Sequence, residues 1–302
     1  MKVWVPVDEL AGVATAFPGV EVGVYAGGED VPPDVETVEF YVPPFMPTSN
    51  GAGVMAEMPN LRVVQTLTAG VEALRPHVPE GVTLCNARGA HDASTAEWVV
   101  GAVLATLHDF PHFAGAQRQR RWKQHFTDAL AGKTVLTVGY GSIGAAVERR
   151  LAGFEVETVR VARSARAGVQ PIEQLPQLLP DADVVVLLVP VTAETIGLMD
   201  ASMLARMGDG ALLVNAARGT IVDTDALMVE LRSGRLRAAM DVTDPEPLPE
   251  DHPLWELPGV FVTPHIAGST GVSAQRAAEL VRTQLERYVT GQSLANIVSG
   301  HY

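Results

Sequence analysis

Thr134-Val135-Leu136-Thr137-Val138-Gly139-Tyr140-Gly141-Ser142-Ile143-Gly144-Ala145-Ala146-Val147-Glu148-Arg149-Arg150-Leu151 is the stretch that decides the fold. It reads as an apolar strand, a glycine turn and a helix whose Ile143, Val147 and Leu151 share one face. Gly139, Gly141 and Gly144 give G-x-G-x-x-G. The first glycine permits the tight turn, the second lets backbone approach a pyrophosphate, and the third allows close helix–strand packing. The N–H groups and dipole of the helix start, at Ser142 and Ile143, favour the phosphate charge. A dinucleotide is the expected ligand.

Outward from that stretch, β-branched runs alternate with helical ones, the pattern of parallel α/β sheets. Upstream, strands are predicted near Lys2–Val7, Glu21–Tyr25, Val38–Val42, Leu61–Thr66 and Val82–Asn86. Downstream they are predicted at Val156–Val161, Asp183–Val189, Ala211–Asn215, Leu236–Asp241 and Val260–Thr263. The Ala-rich run from Asp92 to about Leu107 has helical periodicity, and a polar, basic stretch follows it (Gln117–Gln124). Helices are also expected over Asp225–Leu231 and from about Ser273 to Tyr288.

An NAD site would place an acid about twenty residues past the fingerprint, at the tip of the next strand, to accept from the ribose hydroxyls. This strand ends in Val161-Ala162-Arg163-Ser164-Ala165-Arg166. Arg163 and Arg166, with Ser164 between them, suit a 2′-phosphate that a carboxylate would repel. NADP is therefore the expected preference, with NAD possible if the two arginines are simply solvated beside the adenine.

Composition bounds the rest. At 302 residues the chain exceeds the size at which one core keeps growing, so two domains are expected. With 47% hydrophobic and 19% charged residues it is an ordinary globular chain. The net charge of −13 argues against nucleic acid as a partner, because phosphate binding needs a cationic surface. The one cysteine, Cys85, sits in a strand-like run and cannot form an internal disulfide. No apolar run approaches the ~20 residues that span a bilayer, and no signal peptide is read at the start. A cytoplasmic protein without membrane contact is expected. No His/Cys/Asp/Glu group has zinc spacing, so no metal is expected.

Three segments carry polar residues at ends of predicted strands: Val214-Asn215-Ala216-Ala217-Arg218-Gly219, Met240-Asp241-Val242 through Glu246-Pro247, and Thr263-Pro264-His265-Ile266-Ala267-Gly268. Together with the fingerprint, Val189-Pro190-Val191-Thr192 followed by Thr195, and Thr95-Ala96-Glu97, they resemble the D-isomer-specific 2-hydroxyacid dehydrogenases over nearly the whole chain. Two departures are visible: Glu72 stands where many members have Asp, and Arg163 replaces the usual acid.

The resemblance implies two doubly wound parallel-sheet domains, Rossmann-like and flavodoxin-like, joined by two crossing helices. The dinucleotide-binding domain would span 99–268, and the substrate domain would combine 1–98 with 269–302. By resemblance, Arg218 would bind the substrate carboxylate and polarise its carbonyl. His265 would be the acid–base, Glu246 would hold its imidazole, and Asp241 would orient the nicotinamide carboxamide. Val189, Pro190, Thr195, Ala216, Ala217 and Gly268 would complete the cofactor site. The backbone near Ala69 and Gly70 would receive the carboxylate. A homodimer is implied as well.

The chemistry asks for the same residue types. Hydride delivery to a ketone develops negative charge on oxygen, so a cation and a proton donor should stand near it. Arginine offers a planar fork to a carboxylate, and histidine exchanges protons near neutrality. A small 2-oxo acid such as glyoxylate or hydroxypyruvate is the expected substrate. The loop Pro43-Pro44-Phe45-Met46-Pro47 either lines the substrate site, with Phe45 or Met46 setting substrate size, or is a rigid surface turn. The other histidines (His77, His91, His108, His112, His125, His252, His301) are read as surface or packing residues, with His91 a weaker candidate for the site. Two other functions stay open: a dinucleotide-sensing binding protein of the corepressor kind, and a dehydrogenase for phosphite or another acceptor. The intact Arg218, Glu246 and His265 favour an enzyme.

Overall fold

A computed structural model of the chain describes residues 1–15, 17–45 and 48–299. It divides into two compact units, Met1–His91 with the chain from Thr270 onward, and Asp92–Ser269. The Asp92–Leu107 helix belongs whole to the second unit, so the first crossing falls seven residues before the Val99 expected from sequence.

In the first unit five strands, β1 (Lys2–Val5), β2 (Glu21–Val24), β3 (Val38–Tyr41), β4 (Val63–Gln65) and β5 (Thr83–Cys85), form an all-parallel sheet in the order β2-β1-β3-β4-β5. Each lies inside the run predicted for it. Both faces of the sheet are apolar, as parallel sheets covered on both sides require. Val3, Val5 and Phe40 pack with Val281 and Leu285 of the C-terminal Gly271–Val289 helix. Trp4, Tyr41 and Val64 face a separate cluster with Met55 and Leu84. Gln284 of that helix is fully buried, and its side-chain amide is satisfied: Nε2 donates to Gln65 Oε1 at 2.9 Å, and Oε1 accepts from the Ala295 N–H.

The second unit holds β6 (Thr134–Val138), β7 (Glu157–Ala162), β8 (Gln170–Pro171), β9 (Val184–Leu187), β10 (Leu212–Asn215), β11 (Arg237–Met240) and β12 (Val260–Val262). They are all parallel, in the order β12-β11-β10-β9-β6-β7-β8. Alternate residues sort to the two faces: Leu136, Val185 and Leu187 enter one core, Val135, Val184 and Val186 the other. The strand order reverses between β6 and β9. In open parallel sheets that reversal leaves a crevice at the carboxyl ends of the strands, where ligands bind.

Candidate active site

At the end of β6 the chain turns through Gly139, whose φ of 102° lies in the region that favours glycine. A Cβ there would stand 2.5 Å from the Leu188 carbonyl carbon and 2.6 Å from the Val189 nitrogen. Gly139 therefore closes the turn against the chain leaving β9. Gly144 is nearly as tight, its added Cβ 3.1 Å from the Gly139 oxygen. Gly141 differs: a Cβ there would meet nothing within 4 Å. It is the N-cap of the Ser142–Leu151 helix and offers that helix no side-chain cap. An uncapped helix start beside open space at the sheet's reversal point fits the pyrophosphate of a dinucleotide.

Further details of this corner were not readable from the motif. Tyr140 donates its hydroxyl to Glu148, and Arg160 of β7 forks onto the same carboxylate. The Arg160 guanidinium holds the Glu148 carboxyl down at about 2, with help from Tyr140 and Thr158 and against partial burial. The Arg166 guanidinium donates to the Tyr140 carbonyl and stands 5.8 Å from its ring centroid. Arg163 and Ser164 are exposed at the tip of β7. Ser142 donates its hydroxyl to Asp92 at 3.1 Å. The only sign of the Tyr140–Glu148–Arg160 group in the sequence is a charged residue inside an apolar strand.

The turn after β9 is tied by Thr195, whose hydroxyl donates to the Pro190 carbonyl at 2.6 Å and accepts from the Thr192 N–H. After β10, Asn215 is fully buried. Its Oδ1 accepts from the Ala217 N–H and its Nδ2 donates to the Arg218 carbonyl at 2.9 Å. Arg218, half-buried, is set by these backbone bonds and donates from its own guanidinium to the Ala217 carbonyl. Gly219 approaches so closely that a Cβ would fall 1.9 Å from the Thr243 oxygen. Asn215 and Gly219 are thus positioning residues for Arg218, and neither was singled out among the expected site residues.

His265 follows β12 with φ 54°, a left-handed turn uncommon for a residue with a Cβ. Its N–H donates to the Asp241 carbonyl at 2.7 Å, and its Nδ1 lies 2.7 Å from Glu246 Oε1. Both side chains keep somewhat over a third of their surface exposed. Asp241 is 2% exposed. One of its oxygens accepts from the Thr263 hydroxyl and the Ile266 N–H, and the other from the Ala267 N–H. It anchors the turn that carries His265, a task the sequence did not suggest. Ala216, Ala217 and Gly268 lie in the same loops as Arg218 and His265. The carboxyl ends of the successive strands β10, β11 and β12 therefore carry a guanidinium, a buried carboxylate and a carboxylate-paired imidazole. That set can bind an anion and exchange a proton.

In the first unit, Ala69 and Gly70 follow β4 in a turn held by its own side chains. Thr66 donates to the Thr68 carbonyl, Thr68 to the Gly70 carbonyl at 2.7 Å, and Asn86 to the Ala69 carbonyl at 2.9 Å. His91 Nε2 lies 2.8 Å from the Leu67 carbonyl, and its ring is 5.8 Å from that of Phe45, which is 41% exposed. Met46 and His301 lie outside the described residues.

The chain and its fold have relatives among known proteins. Residues 100–267 match the NAD binding domain of the D-isomer specific 2-hydroxyacid dehydrogenases. A crystal structure of a D-isomer specific 2-hydroxyacid dehydrogenase from Xanthobacter autotrophicus Py2, in complex with NADPH and MES, superposes with a TM-score of 0.85 at 33% identity, covering 99% of this chain and 97% of that one. The glyoxylate reductase of Thermofilum pendens is 34% identical over 258 residues, 80% of this chain and 76% of its own. The D-3-phosphoglycerate dehydrogenase of Mycobacterium tuberculosis is 34% identical over 263 residues, 83% of this chain but 49% of its own length.

Proposed function

This chain belongs to the D-isomer-specific 2-hydroxyacid dehydrogenases, and from that premise we propose that it reduces a small 2-oxo acid of the glyoxylate or hydroxypyruvate kind to the D-2-hydroxy acid, with NADP preferred. The observation that carries the reading is the 2.7 Å pairing of His265 Nδ1 with Glu246, in a sheet whose β10, two strands from β12, leads into Arg218. The cofactor, when bound, supplies the hydride. The chain's residues do the rest. Arg218 holds the substrate carboxylate and draws charge toward the carbonyl oxygen, and His265 Nε2 gives that oxygen its proton. Glu246 accepts from Nδ1–H, which leaves Nε2 as the nitrogen that faces substrate.

Gly139, Gly141, Gly144 and the N–H groups of Ser142 and Ile143 would hold the pyrophosphate. Arg163, Ser164 and Arg166 would hold the 2′-phosphate. Val189, Pro190, Thr195, Ala216, Ala217, Asp241 and Gly268 would surround the nicotinamide end. The exposed arginines with no acid at the tip of β7 support NADP, as does the NADPH in the Xanthobacter structure. Ala69 and Gly70 would receive the substrate carboxylate through backbone N–H groups, and Phe45 would bound its substituent. Homodimer formation is part of the same reading. Trp122 and Phe126 are fully exposed, and two such side chains leave water when a partner covers them. No helix among the described residues is long and apolar enough to cross a membrane, and the working place proposed is the cytoplasm.

A panel of 2-oxo acids with NADPH and NADH tests the reading. Turnover of glyoxylate or hydroxypyruvate, at least about tenfold better with NADPH in kcat/KM, is the expected outcome; that factor corresponds to about 1.4 kcal/mol of discrimination. Dinucleotide binding without turnover on any acid would turn the assignment to a sensing protein.

A further inference from the structure

The Asp92–Leu107 helix ends at a kink, and Asp109 sits there with φ 56°. Asp109 is the N-cap of the Phe110–Arg118 helix, a helix absent from the sequence reading, yet its side chain caps nothing. An aspartate in that place ordinarily accepts from the first N–H groups. Its carboxylate is turned elsewhere: Oδ2 lies 3.0 Å from His125 Nε2. His112 stands one turn into the helix, and its ring meets the His125 ring edge-on at 5.3 Å. His125 is itself held by stacking on Phe113, centroids 4.7 Å apart and planes 17° apart. One oxygen of Asp109 and one ring nitrogen of each histidine all lie within 4.8 Å of one another.

We propose that Asp109, His112 and His125 form a binding site for a divalent transition-metal ion of the zinc class. Two imidazoles and one carboxylate suit zinc and its neighbours, whereas calcium and magnesium want oxygen on nearly every position. Bonds of about 2.0–2.2 Å in a tetrahedron put donor atoms about 3.3–3.6 Å apart. The Asp109–His125 edge already has that length within a few tenths of an ångström. Exposed His112 closes the remainder by a side-chain rotation, and water takes the fourth position. No residue of the site belongs to the proposed catalytic set, so the ion is structural. Its work is to clip the 119–129 segment, which has no helix or strand, to the helix before it. That segment carries the exposed Trp122 and Phe126, so the ion would stiffen the part of the second unit that presents them.

Untagged chain, stripped with chelator and dialysed, is titrated with zinc chloride in a calorimeter. One saturating equivalent per chain is expected. Affinity should fall at least tenfold in His112→Ala and in His125→Ala, and stay unchanged in His77→Ala, a histidine of the other unit. His125→Gln keeps the side-chain volume and should lose zinc equally, and unchanged circular dichroism of the stripped variants separates lost ligation from lost fold. Cobalt in place of zinc should give the visible bands of a tetrahedral site, absent from the same variants. Zinc should also slow tryptic cleavage after Arg120, Arg121 and Lys123 in the parent chain alone. The proposal is overturned by no saturable uptake, or by uptake that the His112→Ala/His125→Ala double variant retains. None of these readouts depends on which acid the protein reduces.

Discussion

The carboxyl ends of the two parallel sheets are built from different materials. In the five-stranded sheet, Thr66, Thr68 and Asn86 spend their donors on backbone carbonyls of the 66–70 turn, and His91 reaches the carbonyl of Leu67. Side chains there shape a piece of main chain. In the seven-stranded sheet the corresponding ends present Arg218, Asp241, Glu246 and His265, and the backbone shapes the side chains instead, through Asn215, Gly219 and the N–H groups of Ile266 and Ala267. On the proposed function, the first end would offer N–H groups to an anion and the second would move a proton. Damage should therefore show in binding at the first and in rate at the second.

The sharpest test removes the imidazole. His265→Ala is expected to lower kcat by about two to four orders of magnitude, the usual worth of a positioned general acid, while dinucleotide still binds. A fluorescence titration with NADPH beside steady-state kinetics reads both quantities. A variant with near-normal kcat would move the proton donor elsewhere and leave the two sheet ends alike.

Gly219→Ala comes next. Its methyl group would meet the Thr243 carbonyl at 1.9 Å and has backbone, not a flexible side chain, in front of it. Overpacking of that kind should cost about 3 kcal/mol or more and pull Arg218 out of line. Gly153→Ala, with nothing within 4 Å of the added atom, is the control and should change stability by less than about 1 kcal/mol. Denaturant melts of the two variants decide it.

Asn86→Ala should separate the two ends in the opposite sense. Asn86 is 4% exposed, donating to the Ala69 carbonyl and accepting from the Arg88 N–H. Removing it should cost about 1 kcal/mol or somewhat more, because a half-buried carbonyl loses its donor. On the proposed role of the Ala69–Gly70 backbone, KM for the acid should rise severalfold with kcat nearly kept. A fall in kcat with unchanged KM would contradict the distinction between the ends.

What the sequence disclosed follows the same division. Most strands were legible because they carry runs of β-branched or aliphatic residues, and the end of the Thr134–Val138 strand was marked by the glycine that follows it. The two-residue β8 was not, since Gln170 and Pro171 carry no apolar pattern and pair only at the edge. The Phe110–Arg118 helix was missed because its faces are mixed and it follows the Asp92–Leu107 helix without a break of more than two residues. Arg218, Glu246 and His265 could be named because each sits in a motif at a strand end. Asn215, Gly219 and the anchoring work of Asp241 could not, because they act through contacts between loops far apart in the chain. The Asp109–His112–His125 group is the extreme case: no spacing rule joins His125 to His112, thirteen residues earlier.

The smallest expected effect concerns the glycine turn and is read by pH. The Arg160 guanidinium, first, and then Tyr140 hold the Glu148 carboxyl at about 2, well below the ordinary carboxylate value near 4.5. A carboxyl whose pKa is lowered by folding adds stability that is complete above its unfolded value and disappears as pH falls through its folded value. The contribution should therefore be present at neutrality and fade from about pH 4.5 down to about pH 2. Because both partners keep part of their surface in water, it should amount to about 1 kcal/mol. Glu148→Gln removes the charge and keeps the shape. Its unfolding midpoint at pH 7 should be slightly lower than the parent's, and the gap should narrow as both are taken to acid. A gap that stays constant from neutrality to pH 3 would mean that Tyr140 is held by packing alone, leaving the glycine turn as a purely backbone construction.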